Sequence, residues 1–366
     1  MPNALSARRI ETARLRRGLT QAAVARELDI TARTYRKYEQ EGAPAERLEQ
    51  LANTLGFPAE FFTRDSDSDL DANDVSFRAG RRAPVKAKAA AVAIGRCGLE
   101  VDEYLQQRFI FPDLDLPDLA GHSPRQAARL LRDHWSLSDA PLPNLVQLCE
   151  SRGIRVYGLP PSAYAVDAYS HWYDGNPFIF LARRRTPEGV RFDIAHEIGH
   201  LVMHSHSAPT PELEPEADEF ASEFLLPRTA LAAYLPAHPG IDDILRVRTG
   251  YRTSAMAVAV AAHRTGRLTD SAYRRMCTTL GKKGFRTSEP GGMSAYEGSR
   301  VFASVFSNDT STKLTPTSIS ADLALPLEDV YALTLSTRLH AIAQPPHTSP
   351  PTPQPPSTGP SLRLVR

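Results

Sequence analysis

Between residues 6 and 63 apolar residues recur every three or four positions in short blocks, the pattern of a bundle of short helices. Ile10 and Ala13 place an apolar stripe on a first helix that ends at Gly18. Thr20 is positioned to cap a second helix, with Val24, Ala25 and Leu28 facing inward. After the turn Asp29-Ile30, Thr31 caps a third helix whose Tyr35 and Tyr38 point to the core. Leu48, Leu51, Ala52 and Leu55 make a fourth stripe, and Phe57, Phe61 and Phe62 close the set as a fifth short helix. In the middle of the chain, 143–160 reads as a helix leading into a strand, and NPFIFLARR (176–184) as a second strand. RFDIAHEIGHLVMH (191–204) is apolar on most sides and reads as a buried helix. A further amphipathic helix carries Phe220, Phe224 and Leu225, with Pro215 tolerated in its first turn. From 237 to 285 and from 295 to 342 the pattern is helical again, and TSISADLALPLEDVYALTL (317–335) has the loose shape of a second helix-turn-helix.

Two stretches break these patterns. RDSDSDLDAND (64–74) alternates Ser and Asp and buries nothing, so it reads as a linker. AQPPHTSPPTPQPPSTGP (343–360) holds eight of the 30 prolines and reads as an extended tail. The resulting organisation is 1–63, a small helical unit; 64–90, linker; 91–235, a central α+β domain; 236–342, a helical C-terminal region; and 343–366, a Pro-rich tail.

At 366 residues the chain is long enough for two or three domains. No apolar run reaches the ~18–20 residues needed to cross a bilayer, and the N-terminus lacks the apolar core of a secretory signal. Cys97, Cys149 and Cys277 stand far apart, which argues against a disulfide framework or a cysteine metal cluster and points to reducing cytoplasm. Cys149 falls in an apolar helix pattern and is read as packing. Net charge is +1, so attraction to nucleic acid has to come from local charge. That charge sits at the N-terminus, where nine Arg and Lys residues in 1–40 face four acids.

A helix that reads DNA keeps its early and outward positions polar while inward ones pack. In the third helix those positions are Thr31, Ala32, Arg33, Thr34, Arg36 and Lys37, and Gln21 at the start of the second can donate to a phosphate. The string GLTQAAVARELDITARTYRKYEQ (18–40) resembles the lambda-repressor/Cro-like (XRE) helix-turn-helix family, with likeness to about Phe62. It departs from that family at Asp29, where Gly is frequent, and Asp tolerates the left-handed turn less well. The resemblance implies binding to a double-stranded DNA operator, as a homodimer on paired half-sites.

The strongest chemistry is His196-Glu197-Ile198-Gly199-His200. With 11 histidines in the chain, a chance H-E-x-x-H has odds of about 2 in 100. Histidines four apart share a helix face and suit one zinc ion, and Glu197 beside the first can accept a proton from a water at that ion. A catalytic zinc needs a third protein ligand. Glu214 and Asp218 share a face of the next helix; Glu214 is assigned as that ligand, Asp218 as the partner of a ligand histidine's other nitrogen, and Glu216 as the alternative ligand. His204 is read as a support to the site or as a core histidine, and His206 as surface. His171 and Tyr173 are weighed as oxyanion donors, and the strand at 176–184 as an exposed edge able to hold an extended peptide.

HEIGHLVMH followed by EPEADEFASEFLLPR resembles the ImmA/IrrE family of zinc-dependent metallopeptidases, over about Asn144 to Pro227. That resemblance implies a zincin-like domain, Zn2+ on His196, His200 and Glu214, and Glu197 as general base. The fold expected is mainly α with a small sheet: an N-terminal five-helix bundle, the zincin-like α+β domain, and a C-terminal helical region. The function implied is transcriptional regulation in a stress response, with cleavage of a repressor-type partner or of the chain itself. The alternative is a non-proteolytic regulator whose zinc domain is a sensor or scaffold.

Overall fold

A computed structural model describes residues 4–64, 70, the backbone of 76–79, 84–163, 165–183, 185–205, 207–208, 210–307 and 313–336. The Pro-rich tail and His206 lie outside the described residues.

The N-terminal bundle opens on β1 (Ala4–Leu5), followed by α1 (Ala7–Arg16), α2 (Gln21–Glu27) and α3 (Ala32–Glu41). A two-residue ladder ties β1 to β2 (Ala43–Pro44), and α4 (Leu48–Leu55) and a 3-10 turn at Ala59–Thr63 complete the bundle. The fifth helix expected from sequence is this turn. Each early helix starts at a hydroxyl: Ser6, Thr20 and Thr31 accept from the backbone N–H of Arg9, Ala23 and Thr34. Between α2 and α3 Asp29 does take the left-handed conformation, at φ 53°.

After the bundle come β3 (Ser76–Ala79) and the long α5 (Val85–Gln106), so the stretch 64–90 carries a strand and the first turn and a half of a helix. α5 lies against one face of the sheet because two glycines let it. A Cβ on Gly95 would come within 2.1 Å of the Tyr169 hydroxyl, and one on Gly98 within 2.7 Å of the Phe180 ring.

Next along the chain are α6 (Pro124–His134), α7 (Leu145–Ser151), β4 (Arg155–Gly158), β5 (Val166–Tyr173) and β6 (Asn176–Leu181). The sheet runs β3-β5-β6-β4, with β4 and β6 parallel and the other pairs antiparallel. Asp174 and Gly175, both at positive φ (47° and 71°), close the β5–β6 hairpin in the manner of a type I′ turn. β6 therefore lies inside the sheet, and the expected exposed edge at 176–184 is corrected. Its apolar run shows that both faces are covered but says nothing of who pairs with its sides, and β4 reaches it by a non-local parallel pairing.

Alternation sorts the sheet into two faces. Tyr157, Tyr169, Phe178 and Phe180 pack toward α5, and Tyr169 donates to Ala91 O on that helix at 2.9 Å. Val156, Ala168, Ile179 and Leu181 pack toward α8 (Pro187–Met203), onto which α9 (Glu214–Leu225) and then α6 are layered. α10 (Arg228–Tyr234), α11 (Ile241–Tyr251), α12 (Ala255–Arg264) and α13 (Asp270–Lys282) form a cluster with a core of its own.

The last helices, α14 (Arg300–Val305), α15 (Pro316–Leu323) and α16 (Leu327–Leu333), return to the N-terminal bundle. One apolar core runs from Ile10, Tyr35 and Leu51 through α5 to Phe302, Ile319 and Val330. Charged pairs cross the same seam. Arg16 donates to Asp329 Oδ2 at 3.0 Å and to Ser162 Oγ at 2.6 Å, with Asp329 fully buried. Arg9 holds Glu100 at 2.7 Å, and Arg96 reaches Glu11 at 3.0 Å. The helix-turn-helix shape read at 317–335 is thus spent on packing, because a reading helix must be exposed and α16 buries Asp329, Val330 and Leu333.

Candidate metal centre and nucleic-acid surface

α8 begins at a firm stop: Thr186 accepts from Gly189 N–H, and Pro187 occupies the first turn. Its later turns are buried, and at Gly199 the helix approaches α9 so closely that a Cβ would lie 3.0 Å from the Phe220 ring. That approach brings the first turn of α9 over the two histidines. The far end of α9 is fixed by the buried Arg132, which donates to Phe224 O and, at 2.7 Å, to Ser138 O.

Three side chains converge. His196 Nε2 and His200 Nε2 stand 3.1 Å apart, and Glu214 places Oε2 3.4 Å from the first and Oε1 3.3 Å from the second. Tetrahedral donors at zinc distances of about 2.0–2.1 Å are separated by about 3.3 Å. The remaining nitrogens are engaged. His196 Nδ1 lies 2.9 Å from Asp218 Oδ1, so it carries the proton and donates. His204 Nε2 is 3.0 Å from Glu216 Oε2 and donates to it, which makes His204 Nδ1 the acceptor for His200 Nδ1 at 3.0 Å. With these tautomers both Nε2 atoms present lone pairs to each other and to a carboxylate. Three acceptors cannot satisfy one another, and a cation among them can satisfy all three.

Electrostatics agree. Burial lowers the His200 pKa below its ordinary 6.5 against the opposing pull of Glu214, so the ring is neutral at pH 7. Burial raises the Glu214 carboxyl, but once His196 and His200 are protonated their hydrogen bonds and charge outweigh it and hold the group at about 2. Glu214 is partly exposed while the histidines are buried, which leaves the cluster open on the carboxylate side.

Glu197, fully buried, accepts from the Ser170 hydroxyl at 2.7 Å. Ser170 on β5 was invisible in the sequence, since a lone serine in a strand belongs to no motif. Its face of the sheet is also what rules on His171 and Tyr173. Strand alternation puts both on the opposite face of β5 from Ser170, with Tyr173 against the α5 core, so neither lines the metal centre. Glu216, the alternative ligand, is bound to His204 instead. Cys149 is buried in the core beside α8.

The second surface lies on α3. Thr31, Arg33, Arg36 and Lys37 are exposed and Thr34 is half-buried. Arg33, Arg36 and Lys37 fall three and four apart, hence on one face, away from buried Tyr35 and Tyr38. Lys37 pairs with Glu41 at 3.3 Å, and the Thr31 and Thr34 hydroxyls bond each other at 2.8 Å. Gln21 donates to Glu39 at 2.6 Å, bridging α2 to α3.

Comparison with known families matches residues 7–63 to a helix-turn-helix domain and residues 149–263 to an IrrE N-terminal-like domain, a peptidase family. The chain is a fusion of these two domains. No curated protein matches it. The IrrE-like match takes in α8, the first turn of α9 and Ser170, and it runs past 235 into α12. The helix-turn-helix match covers α1 to the 3-10 turn that closes the bundle. Among the described residues no helix is long and apolar enough to cross a membrane.

Proposed function

We propose that this DNA-binding chain is a cytoplasmic transcriptional regulator, working as a homodimer on an operator, whose IrrE-like domain is a zinc metalloendopeptidase. The substrate is a repressor-type protein or the chain itself. The observation that carries this reading is the convergence of His196 Nε2, His200 Nε2 and a Glu214 carboxylate at 3.1–3.4 Å, with Glu197 next to the first histidine along the helix. His196, His200 and Glu214 would hold a zinc ion, and Asp218 would keep His196 in the donating tautomer. Zinc, when bound, supplies a Lewis acid toward a scissile carbonyl. Glu197 takes the proton of the attacking water and passes it to the leaving amine. Ser170 orients that carboxylate through Oε2. Gln21, Thr31, Arg33, Thr34, Arg36 and Lys37 form the DNA-reading set, with the exposed cations of α3 supplying the positive face.

One observation favours the non-proteolytic reading. The helix-turn-helix domain shares a buried core with α5 and α16, so a zinc domain that only sensed a ligand would still be coupled to the DNA-binding end. Peptide N-termini compared by mass spectrometry, in cells carrying the wild type or Glu197→Gln before and after stress, separate the two. A terminus seen only with the wild type identifies a substrate. Identical termini under several stresses, with regulation intact in Glu197→Gln, leave the sensor reading in its place.

A further inference from the structure

The strand that carries Ser170 has a neighbour that neither family match includes. Asp167 O accepts from Ala182 N–H at 2.8 Å, so the backbone of Asp167 faces the β6 side. In an antiparallel strand successive residues turn their N–H and C=O to opposite sides. Ala168 and Ser170 therefore present theirs to the edge where β3 lies. The register sets Ser76 opposite Ser170 and Arg78 opposite Ala168, and then slips between Arg78 and Ala79. Ser76 thus sits across from the residue whose hydroxyl holds Glu197. The backbone of β3 also packs against α8, the helix of His196, Glu197 and His200.

An extended segment paired by its main chain beside such a centre has the geometry of peptide capture by strand addition. Here the captured segment belongs to the chain itself, between the residues of the two family matches. We propose that β3 occupies, in cis, the edge of β5 at which a substrate backbone would pair, so that the IrrE-like domain is held closed until β3 leaves. The inference rests on the peptidase reading for its purpose, though the occupancy itself is a binding statement. Four residues with a slip at one end make a short ladder, which a longer strand in full register would displace.

The test uses the zinc-loaded full chain carrying Glu197→Gln, with and without Arg78→Pro. Proline removes the amide paired with Ala168 and breaks the strand without touching the metal centre. The probe is a fluorescent peptide, ANDVSFRAGRR, copying residues 72–82. Arg78→Pro is expected to bind it at least tenfold more tightly than the parent. Amides of Ala168 and Ser170 should exchange faster in the variant and regain protection when the peptide is added. Ser76→Pro, which breaks the other bonded pair, should give the same readout, and retained zinc shows that either variant has folded. Equal peptide affinity with unchanged exchange at Ala168 and Ser170 overturns the proposal. The same pair is then assayed with Glu197 restored. Tighter binding with no peptide cut keeps the occupancy and removes the peptidase reading. Equal cutting with and without Arg78→Pro keeps the peptidase and removes the occupancy.

Discussion

Asp218→Ala is the substitution whose effect the metal centre defines most sharply. Asp218 is not itself one of the three ligands; its Oδ1 accepts from His196 Nδ1 at 2.9 Å, and that bond keeps the lone pair of Nε2 directed at His200 and Glu214. Loss of such a support typically lowers metal affinity about 10–100-fold. The Asp218 side chain is 49% exposed, so water replaces part of what is lost, and the low end of the range applies. The expected cost is about tenfold in zinc affinity, or about 1.4 kcal/mol. Competition with a chromophoric chelator at pH 7.5 measures it. The neighbouring Glu219→Ala, which removes an ion pair to Arg125 on the other side of α9, is the control and should leave affinity unchanged. Equal affinities for Asp218→Ala and Glu219→Ala would show that the orientation of His196 is set by packing alone.

Other outcomes follow from the same geometry. Asp329→Leu leaves the Arg16 guanidinium buried without its carboxylate and should destabilise the chain by about 3–5 kcal/mol, while Arg16→Met with Asp329→Leu restores most of it; urea unfolding that shows simple addition of the two losses contradicts this. Zinc affinity should hold steady from pH 8 down to 6.5, because burial keeps His200 deprotonated below its ordinary value and Glu214 stays ionised to about 2, and then fall as the proton competes for His200. A tenfold loss between pH 8 and 7 in chelator competition would refute it. Arg33→Ala and Arg36→Ala should each weaken operator binding by about 1–3 kcal/mol in fluorescence anisotropy, with a steep salt dependence in the parent. Unchanged affinity in both removes α3 as the reading helix.

What the sequence disclosed was local. Thr20 and Thr31 as caps, Tyr35 and Tyr38 as core and the histidines one turn apart depend on neighbours within four residues, and helical periodicity reports that directly. Glu214 and Asp218, which the fold brings to His196 and His200, share a helix face that their four-residue spacing already marks. The sheet was harder. Asp174-Gly175 is a local hairpin signal, but the parallel partner of β6 has no local trace at all. β3 lies just beyond a polar stretch whose composition resembles a linker. Ser170 meets Glu197 across 27 positions of chain, through a contact that only the folded sheet creates.

The seam joining the bundle to α5 and α16 changes what a cut would accomplish. A peptide bond broken between 64 and 84 would divide the chain into two pieces that still share the apolar core of Ile10, Ile94 and Val330 and the pairs Arg16–Asp329, Arg9–Glu100 and Arg96–Glu11. Severing the connection would not set the DNA-binding end free. The two fragments would migrate as one particle in native gels and as two bands only after denaturation. Proteolysis in this region would then act less as a pair of scissors than as the conversion of a tethered contact into a dissociable one, whose persistence depends on protein concentration.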